Sequence, residues 1–225
     1  MIVVKRGKEP NSLLKFRKEN PDADYESDMP TDVLRDIREQ MWEEQRCLCA
    51  YCMKKIEAPS VVRIEHCRPR HPQDEQEHDK KATLDFKWML GVCYGNSLVR
   101  GVEPEDKTCD AHRGNTELTV NPFDESSVRK IKYKADGSIY SEDAEINKDV
   151  TETLNLNCQA LSLPQTRRNV LMAEKNRIMR KCKGKSQDAF MRELERTYAS
   201  LVQERNLTPY CGIIISWLES KLKIS

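Results

Sequence analysis

Hydrophobic and polar positions along the 225 residues change their period several times. In Thr31–Trp42, Leu34, Ile37 and Met41 recur every three or four residues, with Pro30 just before and Asp32 in the first turn, which predicts a helix with one buried face. Residues 1–30 are polar, charged and interrupted by Pro10, Pro21 and Pro30, so they read as an extended arm. Val61–Arg68 alternates and is rich in β-branched residues, which predicts a strand. Residues 71–81 read as a charged loop, and Leu84–Cys93 as an apolar patch carrying Phe86, Trp88, Met89 and Leu90. Val128–Lys134 and Ile139–Tyr140 flank Asp136-Gly137, the strongest short hairpin signal in the chain. From Glu145 the period is helical, over Ile146–Leu156, Leu163–Lys183, Ser186–Glu204 and Pro209–Leu222, with Lys183-Gly184-Lys185 as a break. Leu163, Val170 and Ile178 mark an apolar stripe beside a charged face, suited to partner contacts. The expected class is α+β, with an N-terminal arm and helix at 1–44, a core with a hairpin at 45–142, and a helical region at 143–225.

Charge narrows the partners. Thirty-eight Lys and Arg stand against 37 Asp and Glu, so the net charge of +1 gives no whole-surface attraction to a polyanion. Any nucleic-acid site must be a local basic patch. No apolar run approaches the roughly 18 residues of a membrane span, and Met1–Arg6 lacks a signal-peptide core, so the expectation is a cytoplasmic protein with no membrane partner.

Nine cysteines in a reducing compartment do not read as a disulfide framework. Cys49-Ala50-Tyr51-Cys52 has the spacing that places two thiolates on one tetrahedral metal ion. Cys93 and Cys109 are sixteen positions apart, and an inserted loop between two ligands is tolerable because closure entropy grows only logarithmically with length. The expected structural Zn2+ site is therefore Cys49, Cys52, Cys93 and Cys109. Two other arrangements stay open. One takes Cys49, Cys52, Cys109 and His112 as ligands, and the other leaves Cys49 and Cys52 as buried unliganded thiols. Cys47 and Cys67 are read as non-ligands.

Between the cysteine pairs, Glu65-His66 ends the predicted strand, ahead of Arg68-Pro69-Arg70. A histidine there can serve as general base for a water attacking a phosphodiester, with a divalent cation stabilising the phosphorane. Arg63, Arg68, Arg70 and Arg113 lie near it in sequence and could position phosphates. The competing role for such a histidine is a structural hydrogen bond.

These residues resemble the HNH family of ββα-metal nucleases. Glu65-His66 falls at the family's acidic-His pair, and the four cysteines fall at the zinc positions of its zinc-containing branch. The resemblance implies a zinc-stapled ββα-metal core, His66 as base with Glu65 beside it, and Mg2+ or Mn2+ held by a later His or Asn. His112 and Asn115 are the candidates, three apart and so expected on one helical face. Trp88 stands where the family's middle Asn lies, with Asn96 the nearby asparagine, and Asp110 stands where its last His commonly follows the fourth cysteine. A narrower resemblance rests on Glu65-His66-Cys67-Arg68-Pro69, Trp88-Met89-Leu90-Gly91-Val92-Cys93-Tyr94-Gly95-Asn96, Asn121-Pro122-Phe123-Asp124 and Leu154-Asn155-Leu156-Asn157. It is similar to the PtuB family of HNH nucleases from Septu antiphage systems, related copies of which accompany some retrons. That implies an endonuclease in antiviral defence, acting on nucleic acid (DNA ahead of RNA) with a PtuA-like ATPase as partner. A non-catalytic zinc module and an adaptor subunit acting through its C-terminal helices are the alternatives from other classes. Metal-dependent nicking lost on His66→Ala separates them from a nuclease.

Overall fold

A computed structural model describes residues 1–70, 80–203 and 207–224. The chain is α+β, with two antiparallel two-stranded sheets and many helices among the described residues. Helix α1, Asn11–Glu19, lies inside what the sequence predicts as an extended arm. Pro10 sets its entry, and Leu13 and Phe16, three apart, turn one face onto the core, where Leu13 is fully buried. Helix α2, Thr31–Glu44, buries Val33, Ile37 and Met41. Strand β1, Arg63–His66, is shorter than the alternating run because residues 59–61 form a 3-10 turn. A short helix α3, Lys80–Thr83, precedes β2, Met89–Val92, which pairs with β1 so that His66 faces Met89 and Arg63 faces Val92. Helix α4, Asp110–Arg113, follows the knuckle insertion. The expected charged loop at 71–81 falls mainly outside the described residues, as does Glu204.

The Asp-Gly turn forms as expected, joining β3, Ile131–Tyr133, to β4, Ile139–Ser141. Gly137 has φ +90°, and a Cβ there would lie 2.0 Å from the Pro164 carbonyl oxygen. Only glycine lets the turn meet the helical region so closely. The first predicted strand is shorter than expected, since residues 125–129 form helix α5, Glu125–Arg129, capped by the Asp124 carboxylate accepting from Ser126 N–H. Helix α6, Ala144–Lys148, runs into a π-helical turn over Asp149–Thr153.

Helices α7, Leu163–Cys182, α8, Gln187–Gln203, and α9, Gly212–Leu222, pack on one another, and α9 lies against β3. Leu163 and Ile178, read as a stripe for partners, are buried within the chain, and Val170 is half-buried. Arg167 is 1% exposed and donates to the carbonyls of Gly137 and Leu156, fixing α7 to the hairpin. One core cluster runs from α1 and α2 through both sheets to Leu156; a second joins Leu48 and Met53 to the C-terminal helices. The two clusters meet at the first cysteine turn. Among the described residues no helix is long and apolar enough to cross a membrane.

Candidate functional site

The first cysteine turn follows directly from its backbone. Cys49 N–H donates to Lys54 O at 2.9 Å, Met53 N–H donates to Cys49 O at 3.0 Å, and Met53 takes φ +62° to close the turn. Lys54 N–H points at Cys52 Sγ at 3.4 Å, a donor that favours a thiolate. The second pair is separated in sequence but joined in space. Cys93 follows β2, Cys109 precedes α4, and the insertion folds back so that Thr108 N–H donates to Gly95 O at 3.0 Å. Gly95 has φ +52°, and a Cβ there would lie 1.9 Å from the Thr108 oxygen.

The four Sγ atoms lie within 4.8 Å of one another, with Cys49–Cys109 at 3.9 Å, Cys52–Cys93 at 3.7 Å and Cys93–Cys109 at 3.8 Å. Tetrahedral zinc with bonds of about 2.3 Å puts its sulfurs about 3.8 Å apart, whereas a disulfide needs about 2.05 Å. All nine cysteines are free, so the four could hold a metal ion such as zinc. Hydrogen bonds from Cys109, Cys49 and Cys52 hold the Cys93 thiol far below its usual range, while bonds to Cys49, Cys52 and Cys93 push Cys109 up. The thiols are thus coupled to one another, and a dication among them would favour their ionised forms. Cys47 and Cys67 are not members of this cluster, and burial pushes the Cys67 thiol up to about 12.

Next to the thiols, β1 delivers Glu65 and His66, both buried. Glu65 accepts from Tyr51 OH at 3.0 Å and from Arg113 Nη1, so the first cysteine turn, β1 and α4 meet on one carboxylate. Burial pushes Glu65 up to about 7 against the pull of Arg113, with the neighbouring Asp110 carboxylate adding to the rise. Asp110 also pairs with Arg63.

Arg113, counted by sequence among possible phosphate contacts, is 3% exposed and fully engaged. Besides Glu65 it donates to Tyr51 OH at 3.2 Å, His66 O at 2.8 Å, Cys67 O at 2.8 Å and Thr116 O at 2.7 Å. It is a clamp. Arg113→Met should lower the urea-unfolding stability of metal-loaded protein by about 3–5 kcal/mol, because Glu65 would be left buried without its cation. Arg68 instead lies 4.0 Å over the Trp88 ring, and Arg70 pairs with Glu26 at 2.5 Å and lies 5.1 Å over Tyr25.

His66 Nε2 is 2.9 Å from Thr83 O, and a carbonyl only accepts, so Nε2 carries the proton and Nδ1 keeps its lone pair. Tyr25 meets the imidazole edge-on with centroids 4.5 Å apart. Burial lowers the His66 pKa to about 4.

The later candidates are placed differently. His112 Nδ1 is 3.0 Å from Thr153 O, tying α4 to the π-helical turn. Gly114, at φ +58°, ends α4 after Arg113, so Asn115 is exposed beyond the helix and the shared face expected for His112 and Asn115 does not form. Asn96 Nδ2 donates to Asp106 O at 3.2 Å within the knuckle insertion. Sequence reasoning notes Asp110 directly after Cys109 but gives it no role. It misses Thr83 and Tyr25, which reach His66 through a backbone oxygen and a ring face. The chain matches no protein-family model and no curated protein.

Proposed function

We propose that the chain is a metal-dependent endonuclease of the HNH type, similar to the PtuB nucleases of Septu systems and working with a PtuA-like ATPase in antiviral defence. What supports this reading is the His66 arrangement: a neutral imidazole, oriented through Nε2 by the Thr83 carbonyl, that feels the charge of Asp110 at the start of the helix following the thiol cluster. Its order of β1, β2 and α4 around a four-thiol site supports the same reading. His66 Nδ1 takes a proton from water, the water oxygen bonds to phosphorus, and the bond from phosphorus to the 3′ oxygen breaks. Arg63, at the start of β1, and Arg68, just past its end, are the candidates to position the phosphate.

A divalent cation would supply charge stabilisation for the phosphorane and the leaving oxygen. Mg2+ keeps most of its waters and typically takes one or two carboxylates together with substrate phosphates, and Asp110 offers one such carboxylate. Asp110→Asn should therefore raise the Mg2+ concentration needed for cleavage by at least roughly 10- to 100-fold, the loss seen even for outer-sphere partners. His112→Ala, read in the same titration, should shift it less. The reverse ranking would return the metal to His112.

The depressed His66 pKa fixes the sign of the pH dependence. The base stays neutral down to about pH 4, so the acidic limb of the cleavage profile should fall near 4 and not near 6.5. Between those values the unfolded chain binds a proton that the folded chain does not, so this group makes the fold less stable as the pH falls. A limb at pH 6.5 would show that His66 is not the titrating base.

A further inference from the structure

Away from the thiol cluster's histidine side, a groove of about 760 Å³ opens between the first residues of the chain, the β3–β4 hairpin and helices α7 to α9. That volume lies within the range of functional clefts. Its floor is aliphatic, with Leu48, Leu171, Leu201 and Ile213 all buried. Among the described residues the rim carries more cations than anions, and its three carboxylates are already engaged. Glu44 pairs with Arg6, Glu125 pairs with Arg129, and Glu219 accepts from Tyr198 OH.

The remaining charge at the rim is positive. Lys134 and Lys175 have no carboxylate in salt-bridge range among the described residues, and their ammonium groups lie 5.5 Å from the Tyr140 ring centre and 5.1 Å from that of Trp217. Among the described residues Arg46 reaches a carbonyl, Val202 O at 2.9 Å, and Val202 itself is 43% exposed at the groove edge.

We propose that this groove docks an acidic amphipathic helical segment of a partner protein. An aliphatic floor bounded by lysines matches a helix with Leu or Ile at i, i+3 and i+4 and with Asp or Glu on its flanks. A helix of about 10–12 Å diameter and 1.5 Å rise fills that volume with roughly five or six residues, or about twice that length if half-immersed. A nucleotide fits less well, because a nucleobase on the floor would set its polar ring edges against Leu48, Leu171, Leu201 and Ile213, which offer no hydrogen bond. The floor also includes Leu48, Cys49 and Ala50, and Ala50 N–H donates to Gly91 O of β2 at 3.1 Å. An occupant therefore bears on the back of the candidate metal centre.

The test is a displayed library of random 16-residue peptides selected on the immobilised, zinc-loaded full chain. Selection should enrich acidic residues around a helically spaced aliphatic face. A fluorescein-labelled copy of the selected peptide, followed by anisotropy, should bind Lys134→Glu/Lys175→Glu at least tenfold more weakly, with helicity and zinc content unchanged. The milder Lys134→Gln/Lys175→Gln pair should shift binding in the same direction, and Lys183→Glu, outside the groove, should not. Selected peptides without acidic enrichment, equal binding to the double variant, or equal weakening by Lys183→Glu would overturn the proposal. So would tight binding of a fluorescent ATP analogue that the double variant loses.

Discussion

Cys49→Ser should leave the chain insoluble or unfolded, with no bound zinc. Cys49 is 1% exposed and its turn lies where the two core clusters meet. Its neighbours Ala50 and Tyr51 hold β2 and Glu65. Structural zinc contributes on the order of 10 kcal/mol to small metal-bound folds, as much as the whole stability of many domains. A serine hydroxyl cannot stand in for the thiolate, and the three remaining thiols would keep a buried charge without its counter-ion. Purified wild-type protein should carry about one equivalent of zinc by elemental analysis. A soluble Cys49→Ser protein with wild-type helicity and no metal would remove the structural role assigned to the four cysteines.

The helices were legible because their signal is local. α2 and the three C-terminal helices repeat their apolar positions with a helical period, and Asp136-Gly137 announced its hairpin. α1 is hidden because its apolar text is one short stretch, Leu13, Leu14 and Phe16, among charges, and its stability comes from docking on α2. The first cysteine pair is a local turn and could be read directly. The second pair depends on an insertion closing through Gly95 and Thr108, a contact that spacing alone does not specify. Burial decided Arg113. A charged residue near a basic run reads as a phosphate ligand, yet it lies inside and satisfies three backbone carbonyls besides Glu65 and the exposed-loop oxygen of Thr116 is one of them. Asp110 is legible by its position directly after Cys109, where the resemblance expects a histidine, and His112 and Asn115 are the nearest residues of the expected type. No sequence pattern could reveal Thr83, whose contribution is a backbone oxygen.

His66→Ala should abolish cleavage without disturbing the fold. Among the described residues the imidazole hydrogen-bonds to Thr83 O, and it does not belong to the thiol cluster, so zinc content and helicity should survive its removal. Loss of a general base lowers rates by about 10²- to 10⁴-fold. The direct measurement is the initial rate of cleavage of end-labelled single-stranded DNA, duplex DNA and RNA by zinc-loaded protein with Mg2+ or Mn2+, wild type beside His66→Ala, with a purified PtuA-like ATPase, the proposed partner, present in a parallel set. The account predicts divalent-metal-dependent cleavage of at least one substrate by the wild type and a fall of that size in the variant at equal zinc content. Cleavage by His66→Ala at the wild-type rate would contradict it.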